Sequence, residues 1–133
     1  MTGSEQAIAI VKAFLEASMI PDAARAATYM DPDVKIIFTG GREMANAGGI
    51  AKFNASRYKW VKKAFGQFDA IAGDEVTVVY SNGTLYGEWP DGRPFAGNRF
   101  IDRFELRNGK ITRMEVWNDS AEWILAPEIS REA

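Results

Sequence analysis

The stretch Asn98-Arg99-Phe100-Ile101-Asp102-Arg103-Phe104-Glu105-Leu106, followed by Asn108-Gly109 and then Ile111 to Asn118, decides the fold. It reads as two long strands joined by a tight turn, because Asn-Gly readily supplies the φ > 0 that a hairpin needs. Period-2 alternation places Phe100, Asp102, Phe104 and Leu106 on one face of the first strand. Three of these four are large and apolar, so that face is buried. Asp102 is the exception: a carboxylate on an apolar face must be paired, protonated or functional. Two readings of it stand open, a buried Asp paired with an arginine or a backbone amide, and a pocket acid.

The partner strand depends on register. A two-residue loop at Asn108-Gly109 sets Glu115 and Arg113 beside Asp102 and Phe104. A three-residue loop with a bulge presents Met114, Val116 and Asn118 instead. Asn98 lies further along the same face, towards its mouth.

Outward from the hairpin, Glu75 to Ser81 and Thr84 to Trp89 read as strands about a turn at Asn82-Gly83, and Pro90 to Pro94 as a loop. Towards the N-terminus, Thr2-Gly3-Ser4-Glu5 fits a capping box. Ile8, Val11, Phe14, Leu15 and Met19 follow at helical spacing. Pro21 breaks the pattern, and Asp22 caps a short second helix ending near Met30. Val34 to Thr39 is a strand, and Glu43 to Gly49 a loop. A third helix is expected from about Ile50 to Phe65, with Ile50, Phe53, Asn54, Arg57, Val61 and Ala64 on one face. Lys59, Lys62 and Lys63 then form its solvated face. Helices early and antiparallel strands late are the α+β signature. Such a sheet, strongly twisted around the helices, encloses a cone-shaped cavity.

Composition narrows the chemistry. With 133 residues and 47% apolar content, residues 1–133 read as one globular domain. Lys+Arg is 16 and Asp+Glu 18, so the basic surplus of a nucleic-acid binder is missing. There is no cysteine and no histidine, which excludes disulfides, thiolate catalysis, Ser-His-Asp triads and histidine-ligated metals. No metal-ligand spacing or Gly-rich phosphate loop occurs. Catalysis must fall to Asp, Glu, Tyr, Lys or Arg. Without a leader pattern or a long apolar run, a cytoplasmic protein with no membrane partner is expected. Tyr29, Tyr58, Tyr80 and Tyr86 read as core or rim aromatics, and Trp60, Trp89, Trp117 and Trp123 as packing or interface residues.

The element order resembles the nuclear transport factor 2-like superfamily, in its SnoaL-like and ketosteroid-isomerase-like branch. The resemblance covers nearly the whole chain and includes Tyr29-Met30-Asp31-Pro32-Asp33-Val34, Gly41-Arg42 and Gly109-Lys110-Ile111. The segment Trp89-Pro90-Asp91-Gly92-Arg93-Pro94, followed by Phe100-Ile101-Asp102-Arg103-Phe104, is similar to the part of ketosteroid isomerase that holds its oxyanion-hole aspartic acid. In the isomerase that carboxylic acid is kept neutral by an apolar site and donates a hydrogen bond to a developing enolate. The match departs at two other positions. Phe14 stands where the isomerase has a tyrosine, and Ile37 or a near neighbour where it has its base aspartate.

The resemblance implies a cofactor-free enzyme of isomerase, cyclase or hydrolase type, polyketide-cyclase-like in family. Its substrate would be a hydrophobic ketone, enol or epoxide. Asp102 would be acid/base or oxyanion donor; Phe14, Phe100, Phe104 and Met114 would wall the pocket, with Asn54, Arg57, Asn98 and Asn118 binding substrate. A limonene-epoxide-hydrolase-like set (Asp102, Arg113, Glu115) requires the first register. A homodimer is expected. The other reading is a non-catalytic ligand-binding or dimerisation module. An ionisable partner within reach of Asp102 favours the enzyme, and a structural arginine favours the module.

Overall fold

A computed structural model describes residues 2–127. Helix α1 (Gly3–Met19) starts where Thr2 Oγ1 accepts the Glu5 N–H at 3.0 Å. Its buried stripe of Ala7, Val11, Phe14 and Leu15 follows the i, i+4, i+7, i+8 spacing of an amphipathic helix. Helix α2 (Ala23–Ala27) is capped by Asp22, whose Oδ1 accepts from Arg25 N–H at 3.0 Å. Strand β1 (Met30–Phe38) turns through Thr39–Gly41 into the short β2 (Arg42–Met44), and helix α3 covers Ala47–Arg57. Strands β3 (Trp60–Ala72), β4 (Thr77–Glu88), β5 (Pro94–Arg107) and β6 (Lys110–Asn118) follow, then helix α4 (Ser120–Leu125).

One six-stranded sheet runs in the order β2-β1-β6-β5-β4-β3. It is antiparallel except where β1 lies parallel to β6. Together with the helices this is the expected α+β architecture. The core sits between α1 and the inner sheet face, where Phe14 meets Phe104 edge-on at 6.0 Å. A second aromatic cluster stacks Tyr58 on Trp89 at 5.7 Å and Trp89 on Phe95 at 4.2 Å. No helix among the described residues is long and apolar enough to cross a membrane.

The structure corrects several expectations. The third helix ends at Arg57, not near Phe65, and Trp60 opens the long antiparallel pairing with β4. Tyr58 adopts extended backbone (φ −126°, ψ 151°) and inserts its ring into the second cluster. Burying that ring outweighs the helix propensity of the lysines that follow. Lys59, Lys62 and Lys63 therefore belong to no helix face.

Asn82-Gly83 is not a turn either: β4 passes straight through it. The Asn82 side chain accepts the Gln67 N–H at 2.9 Å, fixing a bulge in β3 between Phe65 and Phe68. A Cβ at Gly83 would collide with the Ala64 carbonyl, so that glycine serves close strand approach. Residues 42–44 pair with β1, so the expected loop gives up its first residues to a strand. Asn46 then caps α3 by accepting the Gly49 N–H at 3.1 Å.

The long hairpin combines features of both registers considered. Its loop has two residues, Asn108 (φ 49°) and Gly109 (φ 75°), as a tight turn requires. A bulge then skips Thr112, because Leu106 pairs with Ile111 while Glu105 pairs with Arg113. The outcome faces Phe104 with Met114, Asp102 with Val116 and Phe100 with Asn118. Arg113 and Glu115 point to the other face, where they pair with each other and with Arg103 and Glu105. The epoxide-hydrolase-like set of Asp102, Arg113 and Glu115 is thereby ruled out.

Candidate functional site

The inner face of β3 alternates Val61, Lys63 and Phe65, all half-buried. Strand alternation thus sends Lys63 inward, towards the face carrying Asp102 two strands away. The Lys63 ammonium donates to Asp102 Oδ2 in a tight ion pair. The carboxylate is fully buried, whereas the lysine side chain keeps 18% of its surface. The same ammonium lies 4.2 Å from the centre of the Phe100 ring, a cation–π contact. Burial pushes the Asp102 carboxyl above the usual carboxylate range, and the charge and hydrogen bond of Lys63 pull in the opposite direction. Its other oxygen, Oδ1, has no hydrogen-bond partner among the described residues, and neither does the buried Ser81 Oγ on the residue paired across from it.

Lys63 opens onto a cavity with two chambers. The inner one, about 50 Å³, is bounded by Phe14, Phe38, Phe100, Met114 and Val116 as well as Lys63. The outer one, about 350 Å³, lies under Ile20, Pro21, Ala47 and Trp60. Ser18, Met19, Ile50, Asn54, Tyr58 and Val61 border both, so the two chambers adjoin. Among the described residues no carboxylate lines either chamber. Asp102 stands behind Lys63 rather than at the wall.

The expected site residues divide accordingly. Phe14, Phe100, Met114 and Asn118 meet at the inner chamber, and Asn54 borders both chambers. Phe104 is buried beneath them against Phe14. Arg57 lies outside both walls, with its guanidinium 4.9 Å from the Phe53 ring centre. Asn98 is buried behind the cavity, donating from Nδ2 to Ser120 Oγ at 2.8 Å. Tyr58 hydroxyl shares that serine at 2.7 Å, and Ser120 N–H donates to Asn118 Oδ1 at 3.1 Å. This polar chain holds one wall in place. Burial raises the Tyr58 phenol above its ordinary pKa, while its hydrogen bond to Ser120 and the Arg57 charge act against the rise. Tyr58 is therefore a neutral hydroxyl at neutral pH.

Sequence reasoning missed Lys63 and the wall role of Tyr58. A strand reading of Val61-Lys63-Phe65 was the available signal, but the polar residue in its centre hides the alternation.

Among solved structures, the chain is similar to TerC crystallised with polyporic acid (22% identity, 92% of this chain and 98% of that one, TM-score 0.71). It is also similar to an NTF2-like protein of unknown function from Burkholderia pseudomallei (20% identity, 94% and 97%, TM-score 0.72). An LEH-like epoxide hydrolase of M. tuberculosis aligns over 100% of this chain and 99% of its own, at 15% identity and TM-score 0.70. At these identities the likeness speaks for the NTF2-like fold. No curated protein matches the chain. A model of the SnoaL-like domain matches residues 11–114, most of the helices and all but the end of the sheet, and the chain belongs to the SnoaL-like domain family.

Proposed function

We propose that this protein is a cofactor-free SnoaL-like enzyme that moves a proton on a hydrophobic ketone or enol. The observation that carries the reading is the Lys63–Asp102 pair closing the inner end of an apolar cavity. The pair holds one transferable proton. With the proton on nitrogen, Lys63 donates to a carbonyl oxygen as enolate charge develops there. With the proton on Asp102, the free amine can accept one from carbon. Asp102 acts through Lys63, so it is the acid/base reservoir and not the group that touches substrate. The inner chamber admits a narrow carbonyl end, and the outer chamber takes the apolar body of the molecule. Asn54, between them, is placed to orient it.

The test is exchange of the α-protons of benzylacetone and β-tetralone into deuterated buffer, followed by NMR. Wild type should accelerate exchange of at least one ketone, and Lys63→Met should lose about 10²- to 10⁴-fold of that acceleration. Exchange at the buffer rate for both ketones, or exchange indifferent to Lys63→Met, would sink the proposal.

Little or no 3-ketosteroid isomerase activity is expected. Phe14 carries no hydroxyl, and β1 offers Phe38, with Ile37 beside it, where a base would be needed. Each missing group should lower the rate by about 10²- to 10⁴-fold. Turnover of a β,γ-unsaturated 3-ketosteroid at the rate of a dedicated isomerase would overturn the assignment of the site.

The protein is further expected to be a homodimer formed through the outer sheet face. Ile101 and Trp117 face each other there and are 42% and 51% exposed. Light scattering at tens of micromolar chain should return twice the chain mass; a monomer mass would refute this.

A further inference from the structure

We propose that Lys63 captures aldehydes and ketones covalently, as a protonated Schiff base held against Asp102. This rests on the same cavity as the proton-transfer reading but asks more of the lysine.

Three observations carry it. Lys63 reaches the wall of the inner chamber, whereas its carboxylate partner does not, so within that chamber the amine and not the carboxylate meets a bound carbonyl group. The chamber around it, only about 50 Å³, is walled by Phe14, Phe38, Phe100 and Met114, and so leaves little room for the water that would hydrolyse an imine. Asp102 is fully buried and fixed within hydrogen-bond reach of the nitrogen, where it can both take and return protons.

The reaction balances without a further reagent. Asp102 takes a proton from the Lys63 ammonium. The nitrogen lone pair attacks the carbonyl carbon, and the π pair moves onto oxygen. The Lys63 nitrogen, which stands between the two, hands one of its protons to that oxygen to give the carbinolamine, and Asp102 returns its own proton to the nitrogen. Protonation of the hydroxyl then lets it leave as water while the nitrogen lone pair forms the C=N bond. The lysine nitrogen loses two hydrogens and the carbonyl loses its oxygen, so one water is released. The iminium that remains carries the single positive charge Lys63 carried before, and Asp102 is again its carboxylate counter-ion. No charge is gained or lost in the buried site, which keeps the electrostatic cost of the step low.

Lys62 is the internal control. It is the neighbouring residue and also borders the cavity, but its side chain is exposed and has no buried carboxylate beside it. The wild-type protein should be treated with limiting octanal and cyanoborohydride at neutral pH, then digested and mapped by mass spectrometry. The octyl adduct should accumulate on Lys63 at least about tenfold over Lys62, Lys12 and Lys52. Benzylacetone in excess should suppress the Lys63 adduct selectively. Even labelling of these four lysines, or preference for an exposed one, overturns the inference. If ketone exchange proceeds at a rate dependent on Lys63 while no Lys63 adduct forms, the covalent step is wrong and the proton transfer stands. An adduct on Lys63 without any ketone exchange supports the capture and sinks the proton-transfer reading instead.

Discussion

Lys63→Met should be much less stable than wild type at pH 8 and should recover much of the difference at pH 5. The variant leaves Asp102 fully buried with its ion-pair partner gone. Stranding one member of a buried pair costs about 3–5 kcal/mol. The carboxyl escapes part of that cost by taking up a proton. Its folded pKa then lies well above the unfolded value of about 3.9. For an acid raised in the folded state, the native protein binds the extra proton, so stability falls as pH rises. The fall begins near the unfolded pKa and runs at about 1.4 kcal/mol per pH unit until the folded pKa is reached. Urea titrations at pH 5 and pH 8 read this directly. Adding Asp102→Asn to Lys63→Met should remove the pH dependence and restore stability to within about 1–2 kcal/mol of wild type, since no buried charge is left. Equal midpoints for Lys63→Met at the two pH values would mean that Asp102 is hydrated and the pair is not a buried one.

Asp102→Asn alone is the milder change. The Lys63 side chain retains 18% exposure along the cavity, so its ammonium is not trapped without water. A loss of about 1–3 kcal/mol is expected, that of an imperfectly satisfied polar group. On sequence alone, the alternatives for Asp102 are a pocket acid and a buried carboxylate paired with an arginine or a backbone amide. What occurs lies between them. The partner is a lysine, and the lysine faces the cavity.

The β5–β6 hairpin was legible in the sequence because Asn108-Gly109 has one strong conformational preference and the alternation on β5 is long. The inward direction of Asp102 followed from those two facts. The register was not fixed by them, because the bulge at Thr112 is a tertiary choice that brings Met114 and Val116 inward. A plain two-residue hairpin would have turned Arg113 and Glu115 inward in place of Met114 and Val116, and burial decided against it. The larger miss, β3, has the same kind of cause. Lys59-Trp60-Val61-Lys62-Lys63-Ala64 has helical local preference, and only the long pairing with β4 makes it a strand. Since Lys63 rides on β3, losing the strand meant losing the partner of Asp102. A residue that breaks the local pattern on one strand was detectable; its partner, which breaks the pattern on another, was hidden by the same irregularity.

Phe14→Ala should lower stability by about 3–5 kcal/mol and create a binding site for small aromatic molecules. The ring is fully buried between the core and the inner chamber, edge-on to Phe104. Removing it forfeits the transfer energy of the ring and leaves a void that helix α1 and the sheet can only partly close. The consequence differs from that of an ordinary core truncation. Phe14 is also a wall of the inner chamber, so the new space joins a cavity that already adjoins the outer chamber and its opening. An apolar ligand can therefore enter and refill it. Benzene or indole at about 100 times its dissociation constant should return about 2.7 kcal/mol to the variant by mass action. Wild type, whose inner chamber is only about 50 Å³, can seat the same ligands in its outer chamber alone and should gain less than the variant. Thermal melts of both proteins with and without indole make the comparison. A variant that loses the full stability but gains no more from indole than wild type would show that the void does not communicate with the cavity. The two-chamber route by which a substrate would reach Lys63 would then have to be abandoned.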